Sequence, residues 1–597
     1  MANKPQPRIQ NRPLNQAAYQ TLLEQGAPEL LARIAAGRVG EGIPNEEIPD
    51  LLQPRLGHIP HPQKLADCDK AVSALVTAIE QGKRIGILTD YDVDGITSHA
   101  ILWHGLVNYF QVPRENIVSL IGHRLEDGYG ISDGLVDRIL EMPTDQRPEM
   151  IISADCGSSD EPRIARLLAE NIALVVTDHH AIPESGIPKS ATAVLNPTRE
   201  DCDYPDATIA GCFVAWLLMS AMRAELLTRE SIPADTPKLV ELLDFCALGT
   251  VADAVSLASP VNRAVVNAGL AQMNKVQRPA WAALVELLEK PRSQAPFDID
   301  DLGFQIGPRI NARGRMSDPH AARRFLLAEE NVDAMDALLT LDRDNQDRRK
   351  VERAMLRDIL ADISKWESSH SVVAFDEDFH PGVQGIVASR LVDRTGKPAV
   401  VLSPNKNPDP ITGSMRTVAG VHARNTLQAV ADNWPQIIVK FGGHAGAAGL
   451  TINRTQIDTF VKVFNEVLAA QYGEQTPAPV LLCDGELDPN QLNLSQWQQL
   501  QQIRPYGRGW EKPLFVGTAY LSECRVIGST QTHLSLNLEL GGQGIRAVWF
   551  NALDNAGDKA TVQAGQSVRV VYELAENSYN GRTSLQLMVR YAEPTTH

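Results

Sequence analysis

Residues 84–95 read RIGILTDYDVDG, in which a short apolar run ends in a segment that carries three aspartates. Similar apolar runs follow at 149–154 (EMIISA), 173–177 (ALVVT) and 191–195 (ATAVL), and helical patterns at 71–80, 98–110 and 161–169 lie between them. Apolar strands that alternate with helices are typical of a parallel sheet covered on both faces. The sequence therefore predicts an α/β domain built on a parallel sheet.

Potential metal ligands follow three of these strands. They are Asp90, Asp92 and Asp94 after the first, Asp155 after the second, and Asp178, His179 and His180 after the third. Since ligands of open parallel sheets bind outside the carboxyl ends of the strands, these side chains are expected at one edge. So many carboxylates repel one another unless a cation lies between them, and mixed Asp and His ligands suit Mn²⁺, or Mg²⁺. A fourth candidate ligand is Asp253, in ALGTVADAV (247–255).

Each motif taken alone has another interpretation, but the motifs taken together favour a metal site. DYDVDG alone is compatible with a turn or a calcium loop, but the position that an EF-hand fills with glutamate is Ile101. DHH alone is compatible with a helix cap beside a core histidine. Two metal ions held by bridging carboxylates point instead to hydrolysis of phosphoesters. The sequence contains neither a Walker A pattern nor a GxSxG elbow.

Length and composition indicate a large protein of ordinary globular character. At about 150 residues per domain, 597 residues suggest about four domains. The 56 Lys and Arg against 73 Asp and Glu give a net charge of −17, which argues against a generally cationic nucleic-acid coat but not against a local basic channel. Seven scattered cysteines without a CxxC pair favour a reducing compartment. The longest apolar run, 209–222, is too short to span a bilayer, and we expect no membrane association and a cytoplasmic location.

The rest of the chain predicts a multidomain α/β protein. A loosely organised N-terminal section (1–60) precedes a catalytic domain (61–260), and a helical region (261–365) ends in a long amphipathic connector helix. A second α/β domain (366–472) and a linker lead to a C-terminal domain (480–597). The alternating pattern of THLSLNLELGGQGIRAVWF (532–550) predicts that this last domain is a small β-barrel.

These motifs, in this order, resemble the DHH phosphoesterase superfamily, and within it the family of RecJ exonucleases. The resemblance rests on TDYDVDG, ADCG, TDHH and GTVAD, together with HRLEDGYGIS (123–132), LNPTREDCDYPDATIAG (195–211), LGFQIGPRINARGRM (302–316), HPGVQGIVASRL (380–391), GSMRT (413–417), FGGHAGAAGL (441–450) and YGRGWEKPLF (506–515). It covers nearly all of the chain beyond about residue 60. It implies a DHH catalytic domain, a DHH-associated domain and a barrel of the oligonucleotide-binding (OB) type.

The resemblance implies two metal sites that share one carboxylate. The first would consist of Asp94, Asp155, His179 and Asp253, and the second of Asp90 and Asp92 with Asp155 as the bridge. Asp178 would orient its neighbours, and His180 would face the scissile phosphate. Arg309, with Asn311 beside it, would neutralise charge in the transition state.

The resemblance also implies a binding site for the 5′ end of the substrate. Arg124, Ser414 and Arg416 would bind a terminal 5′ phosphate, and His444 is a weaker candidate for a substrate contact. In the barrel, Tyr506, Trp510, Phe515 and Trp549 could stack on bases, although for any single one a core position is favoured. Arg504, Arg508 and Arg546 would lie near the DNA backbone.

The expected function is a metal-dependent 5′→3′ exonuclease that hydrolyses single-stranded DNA to 5′-mononucleotides, in DNA repair or recombination. Two alternatives remain open: a DHH phosphodiesterase for short oligonucleotides or cyclic dinucleotides, and an inactive DNA-binding scaffold. Single-stranded DNA is the expected partner of a monomer. The family also implies a single-strand-binding protein and a RecQ-like helicase as partners.

Overall fold

The computed structural model of the chain describes residues 6–40, 47–123, 127, 130–291, 295–316, 320–404, 409–473, 477–553, 557–579 and 581–595. The chain forms two compact units. The larger unit contains residues 11–314, 318–339 and 482–597, and the smaller contains 340–481 with short segments at 1–10 and 315–317. Each unit is described by itself.

The N-terminal section contains β1 (Arg8–Asn11), α1 (Gln16–Glu24) and α2 (Glu29–Ala36). The Asn15 side chain caps α1 by accepting a hydrogen bond from the Ala18 N–H group. Buried residues of both helices, such as Leu22 and Leu31, belong to the same hydrophobic core as the C-terminal barrel. The sequence suggested a loosely organised section, whereas α1 and α2 are firmly packed in the larger unit, because their apolar faces contact residues far along the chain.

A five-stranded parallel sheet forms the centre of the larger unit. Its elements are α3 (Cys68–Glu80), β2 (Ile85–Thr89), α4 (Val93–His104), β3 (Ile117–Ile121), α5 (Asp133–Glu141), β4 (Met150–Ala154), α6 (Glu161–Ala169), β5 (Ala173–Thr177) and β6 (Ala193–Leu195). The strand order is β3-β2-β4-β5-β6, and every neighbouring pair is parallel. The parallel sheet predicted from the apolar runs is confirmed. The edge strand β3 was not predicted.

The helix predicted at 98–110 begins five residues earlier than expected. α4 starts at Val93 because the Asp92 side chain accepts a hydrogen bond from the Gly95 N–H group and so caps the helix. Its regular part ends at His104, and residues 105–109 continue as a π-helical turn. The aspartate motif is therefore both a helix start and a part of the candidate site.

Eight helices follow the sheet. They are α7 (Gly211–Thr228), α8 (Leu243–Ala252), α9 (Pro260–Met273), α10 (Pro279–Leu287), α11 (Ile299–Asp301), α12 (Gly307–Met316), α13 (His320–Leu326) and α14 (Asn331–Ala361). The predicted connector helix is α14, whose 31 residues cross from the larger unit into the smaller. By length and composition α7 could cross a membrane, but 61% of its apolar window is buried inside the protein.

The smaller unit contains a mixed sheet. Its elements are β7 (Val372–Phe375), α15 (Gln384–Thr395), β8 (Ala399–Ser403), β9 (Ile411–Arg416), α16 (Ala423–Asn433), β10 (Ile438–Gly443), β11 (Ala447–Ile452) and α17 (Ile457–Tyr472). The strand order is β10-β11-β9-β8-β7, in which only β7 and β8 run parallel.

The C-terminal part of the larger unit is a closed barrel, as predicted. After β12 (Val480–Cys483) and α18 (Leu494–Gln501), the barrel strands are β13 (Phe515–Ile527), β14 (His533–Leu540), β15 (Gln543–Trp549), β16 (Gln566–Tyr579) and β17 (Arg582–Pro594). Their order is β13-β14-β15-β17-β16, and β16 pairs with β13 to close the ring. A closed ring leaves no unpaired sheet edge.

We predict that Gly269→Ala destabilises the larger unit. α9 crosses α8 so closely that a Cβ atom at Gly269 would lie 2.1 Å from the Leu243 carbonyl oxygen and 2.4 Å from the Ala247 Cβ atom. Overpacking of this kind costs about 1–3 kcal/mol. Thermal unfolding should show a lower midpoint for this variant, whereas the exposed Ala271→Ser on the same helix should match the wild type. Equal midpoints for both variants would contradict this account of the packing.

Candidate metal centre

The site lies at the carboxyl edge of the parallel sheet. The last residues of β2, β4 and β5, which are Thr89, Ala154 and Thr177, pair with one another across the sheet. The residue that follows each of them is an aspartate. The three acidic motifs therefore leave the sheet at one level, as expected from strands that run in parallel.

The first motif places two buried carboxylates at this edge. Asp90 and Asp94 are each 1% exposed. The turn that joins them is tight, because a Cβ atom at Gly95 would lie 2.4 Å from the Asp90 carbonyl oxygen. Asp94 accepts hydrogen bonds from the N–H groups of Gly211 (2.7 Å) and Cys212 (2.9 Å), at the start of α7. The N-terminus of a long apolar helix thus stabilises one acidic side chain of the site.

The second motif places another buried carboxylate, Asp155, at this edge. It is 1% exposed, and neither of its side-chain oxygens accepts a hydrogen bond from the described residues. The Asp155 backbone has φ 61°, a left-handed conformation. A Cβ atom at Gly211 would lie 2.9 Å from the Cβ atom of Asp155. Strain and close packing hold this carboxylate in place although no donor satisfies it.

His179 lies at the centre of the cluster. Its Nε2 atom is 3.2 Å from Asp155 Oδ1, 3.6 Å from Asp94 Oδ2 and 3.8 Å from Asp253 Oδ2. Asp253 is the residue directly after α8, and its side chain is 28% exposed. Two overlapping groups, Asp94 with His179 and Asp253, and Asp155 with His179 and His180, each bring together ligand atoms that could hold a metal ion.

Asp178 and His180 form a hydrogen-bonded pair at the rim of the cluster. Asp178 accepts a hydrogen bond from His180 Nδ1 at 2.8 Å, and also from the backbone N–H groups of Ser158, His179 and His180. Burial alone would raise the pKa of Asp178, but these bonds outweigh burial and lower it. Burial also opposes protonation of His180, yet its hydrogen bond to Asp178 and the charge of that carboxylate raise its pKa to about 9. His180 is therefore a cation at neutral pH in the metal-free protein.

Burial and the charges of neighbouring carboxylates act together on Asp155 and Asp253. Burial, followed by the charges of Asp94 and Asp92, raises the pKa of Asp155 far above its usual range. The same causes raise the pKa of Asp253 to about 8. A divalent cation offsets the effects of burial and of repulsion on these pKa values, because it supplies positive charge and a direct partner for the carboxylate oxygens. The described residues therefore fit divalent metal ions.

Arg309 lies on a helix that packs directly against this cluster. A Cβ atom at Gly307 would lie 3.4 Å from Ala252 Cβ, and one at Gly314 would lie 3.2 Å from Tyr91 Cδ2, so α12 contacts segments next to ligand candidates. Arg309 is 9% exposed, and its Nη1 atom donates to the Gln305 carbonyl oxygen at 2.7 Å. Asn311 is half-buried on the same helix.

The predicted phosphate-binding residues of the smaller unit are partly brought together. Arg416 Nη1 donates to Ser414 Oγ at 2.8 Å, and both side chains lie on the same face of β9. A Cβ atom at Gly385 in α15 would lie 2.7 Å from Arg416 Nη2, so the helix approaches the guanidinium closely. The exposed His444 shares no hydrogen bond or ion pair with Ser414 or Arg416 among the described residues. Arg124 lies outside the described residues.

Most of the aromatic residues considered for base stacking belong to the core. Tyr506, Trp510 and Phe515 are 7%, 0% and 0% exposed, and Trp549 is partly buried against the same core. The suggestion that these three buried residues stack on bases is therefore wrong, and the core position favoured for each of them is correct. A small barrel needs large apolar side chains inside it. The exposed aromatic residues of the barrel are instead Tyr520 (46%) and Phe550 (53%), which the sequence analysis missed. For Tyr520, the available signal was its position on the polar side of the alternating strand β13.

Two glycines that support the cluster were also missed as functional positions. A Cβ atom at Gly249 would lie 2.8 Å from Asp94 Oδ1, and Gly211 provides both an N–H donor to Asp94 and the space for Asp155. Both occur within quoted motifs, TIAGC and ALGTV. Their role depends on packing between distant segments, which spacing alone does not reveal.

We predict that binding of Mn²⁺ at pH 7 releases protons. In the metal-free protein Asp253, with a pKa of about 8, holds a proton at that pH, and metal must displace it. Because the folded pKa exceeds the usual value of about 4, the stability linked to this group is present at low pH and is lost as the pH rises through about 8. Calorimetric titrations in buffers of different ionisation heat should show more protons released at pH 7 than at pH 9. Equal numbers at both pH values would contradict the raised pKa.

Family models match most of the chain. The N-terminal domain of the DHH family matches residues 84–250, the DHHA1 domain matches 369–470, and the RecJ OB domain matches 483–591. The metal-ligand candidates Asp90, Asp155 and His179 lie within the first of these matches.

Similar proteins extend over nearly the whole chain. The single-stranded-DNA-specific exonuclease RecJ of Haemophilus influenzae is 33% identical over 543 residues, which cover 89% of this chain and 92% of that protein. The structure of RecJ from Thermus thermophilus with Mn²⁺ is 26% identical and matches with a TM-score of 0.78, over 100% of this chain and 81% of that one. Its Mg²⁺ complex, also 26% identical, matches with a TM-score of 0.73 over 100% of this chain and 80% of that one. The chain therefore belongs to the RecJ family of DHH proteins.

Proposed function

We propose that this protein is a metal-dependent exonuclease that degrades single-stranded DNA from the 5′ end and releases 5′-mononucleotides. The observation that carries the proposal is the buried cluster around Asp155, in which carboxylates and His179 converge without sufficient positive charge. Such a cluster suits the binding of two divalent ions and the hydrolysis of a phosphodiester. The similarity to RecJ exonucleases over the catalytic domain and the barrel supports DNA as the substrate.

The proposed ligands follow the two sites that the sequence suggested. Asp94, Asp155, His179 and Asp253 would hold one ion, and Asp90 and Asp92 would hold the other, with Asp155 shared. Mn²⁺ and Mg²⁺, the ions in the Thermus thermophilus structures, suit these ligands. When bound, the ions supply an activated water molecule and stabilise charge on the phosphate.

The remaining residues of the site position the substrate and move protons. His180, held by Asp178, would face the scissile phosphate and in its protonated form can give a proton to the departing 3′ oxygen. Arg309, whose Nη1 atom donates to the Gln305 carbonyl oxygen, can stabilise charge on the phosphate oxygens. Asn311 extends the polar surface of the same helix.

Recognition of the 5′ end is assigned to the smaller unit. Ser414 and Arg416 together offer a hydroxyl and a guanidinium to a terminal phosphate, beside the close approach of Gly385. Arg124 and His444 stay candidate substrate contacts that the resemblance to the family implies.

The alternative functions have less support. A phosphodiesterase for short oligonucleotides or cyclic dinucleotides needs no barrel, whereas this chain matches its relatives through the barrel. An inactive scaffold would need none of the candidate ligands, yet every one of them is present. The proposal places the protein as a cytoplasmic monomer in DNA repair, with single-strand-binding protein and a RecQ-like helicase as protein partners.

We predict that Asp155→Asn removes nuclease activity without unfolding the protein. Loss of one electrostatic stabiliser typically costs about 10²–10³-fold in rate, and loss of a shared ligand should cost at least as much. In EDTA the unfolding midpoint should stay close to that of the wild type, because the raised pKa of Asp155 already disfavours its charged form and asparagine has nearly the same shape. The measurement is release of nucleotides from a 5′-labelled single strand with Mn²⁺. The exposed Asp145→Asn serves as the control and should retain full activity. Persistent cleavage by the Asp155 variant would overturn the site assignment.

We predict that Arg416→Ala removes the preference for a 5′ phosphate. Wild-type protein should degrade a 5′-phosphorylated strand faster than the same strand with a 5′ hydroxyl, because the guanidinium pairs with the terminal phosphate. In the variant the two rates should converge within about twofold. Lys440→Ala, an exposed cation of β10 in the same sheet, should leave the preference intact. If Arg416→Ala still discriminates between the two ends, recognition of the 5′ phosphate lies elsewhere.

A further inference from the structure

A segment that leads into the barrel reaches the metal centre. This segment, residues 504–512, is called the barrel neck, and it packs on the loop at 254–258 that directly follows Asp253. The Leu257 N–H group donates to the Arg508 carbonyl oxygen at 2.7 Å. The contact is so close that a Cβ atom at Gly507 would lie 2.7 Å from Leu257 Cδ1, and one at Gly509 would lie 2.6 Å from Ser256 Oγ. Glycine at both positions leaves room for these side chains, and the φ of 75° at Gly509 is one that other residues rarely adopt.

A buried stacking contact fixes the neck in this position. Trp510 is 0% exposed, and its Nε1 atom donates to the Ile503 carbonyl oxygen at 2.8 Å. The guanidinium of Arg263, on α9, lies 3.6 Å from the centre of the Trp510 ring. A contact of this kind between a cation and an aromatic ring is stabilising, and more so when it is buried. The neck is therefore firmly fixed within the larger unit.

The three cations of the neck differ in their partners. Arg504 pairs with Asp298 at 3.7 Å, and Lys512 pairs with Asp300 at 2.7 Å. Arg508 is exposed and forms no ion pair with the described carboxylates, although its Nη1 atom donates to the Ala254 carbonyl oxygen at 3.2 Å. Its charge is thus held one residue from Asp253 and is not neutralised by a side chain.

We propose that Arg508 contacts a backbone phosphate of the DNA strand beside the metal centre. This inference rests on the proposed function. A guanidinium has five N–H donors, and the bond to Ala254 uses one of them, so the others remain for phosphate oxygens. In a chain of net charge −17, a fixed cation at the rim of an acidic site attracts a polyanion where the surroundings repel it. The barrel then contributes to the active site directly through its neck.

The first test compares three neck variants in nuclease assays on a long single strand. Arg508→Ala should raise KM about tenfold, with a smaller change in kcat, because a charge-assisted hydrogen bond to substrate is lost. Arg508→Lys should recover part of the effect, since it keeps the charge. Lys512→Ala, which removes a cation that already has a carboxylate partner, should match the wild type. The salt dependence of DNA affinity should also weaken for Arg508→Ala, by about 0.7 in the logarithmic slope.

The second test identifies the phosphate. Single strands with one neutral methylphosphonate linkage at successive positions should bind wild-type protein more weakly at one position near the 5′ end. Arg508→Ala should show no loss at that position, because the two changes remove the same contact. Fluorescence anisotropy in the Asp155→Asn background measures binding without cleavage, so the result does not depend on activity.

The possible results separate this inference from the proposed function. Equal KM values and equal methylphosphonate profiles for wild type and Arg508→Ala would overturn the phosphate contact while nuclease activity stands. If Arg508→Ala instead weakens Mn²⁺ binding, measured by calorimetry, the residue acts by positioning Asp253 and does not touch DNA. Wild-type protein that binds single strands at Arg508 but cleaves no DNA would overturn the proposed function alone.

Discussion

Repulsion between carboxylates at the edge of a parallel sheet is the constraint on which the rest of this structure depends. The hydrogen-bond donors that stabilise these carboxylates differ from one carboxylate to the next. The N-terminus of α7 donates to Asp94, whereas backbone N–H groups and His180 donate to Asp178. Asp155 has no such donor among the described residues, and its pKa is raised accordingly. The protein thus neutralises part of the repulsion itself and leaves the remainder for metal ions.

The sequence predicted the features that depend on local pattern. Apolar runs indicated β2, β4 and β5, and parallel pairing then required the residues after them to meet at one edge. The barrel followed from alternation in residues 532–550. The edge strand β3 escaped notice because its short run, IVSLI, contains a central serine and adjoins charged residues. The start of α4 was misplaced because the motif aspartates were interpreted only as ligands, although Asp92 also caps the helix.

Features that depend on contacts between distant segments could not be predicted. Residues 11–40 belong to the larger unit partly because Arg38 is bonded to Asp484, 446 residues away, with both side chains almost wholly buried. Removing one partner of such a pair leaves an uncompensated charge in the core. The approach of the barrel neck to residues 254–258 is of the same kind. The burial of the aromatic residues near the barrel could not be predicted either, since composition alone does not separate a core tryptophan from an exposed one.

The shared register of β2, β4 and β5 also limits how the gene can change by insertion and deletion. Loss or gain of one residue inside any of these strands would turn its side chains to the opposite face and shift its aspartate by about 3.3 Å. At the amino edge of the sheet, turns such as the one after α3 lie a full strand length from the site and have no such coupling. Length variation among functional descendants of this chain is therefore expected to accumulate at the amino edge and to spare the strands themselves.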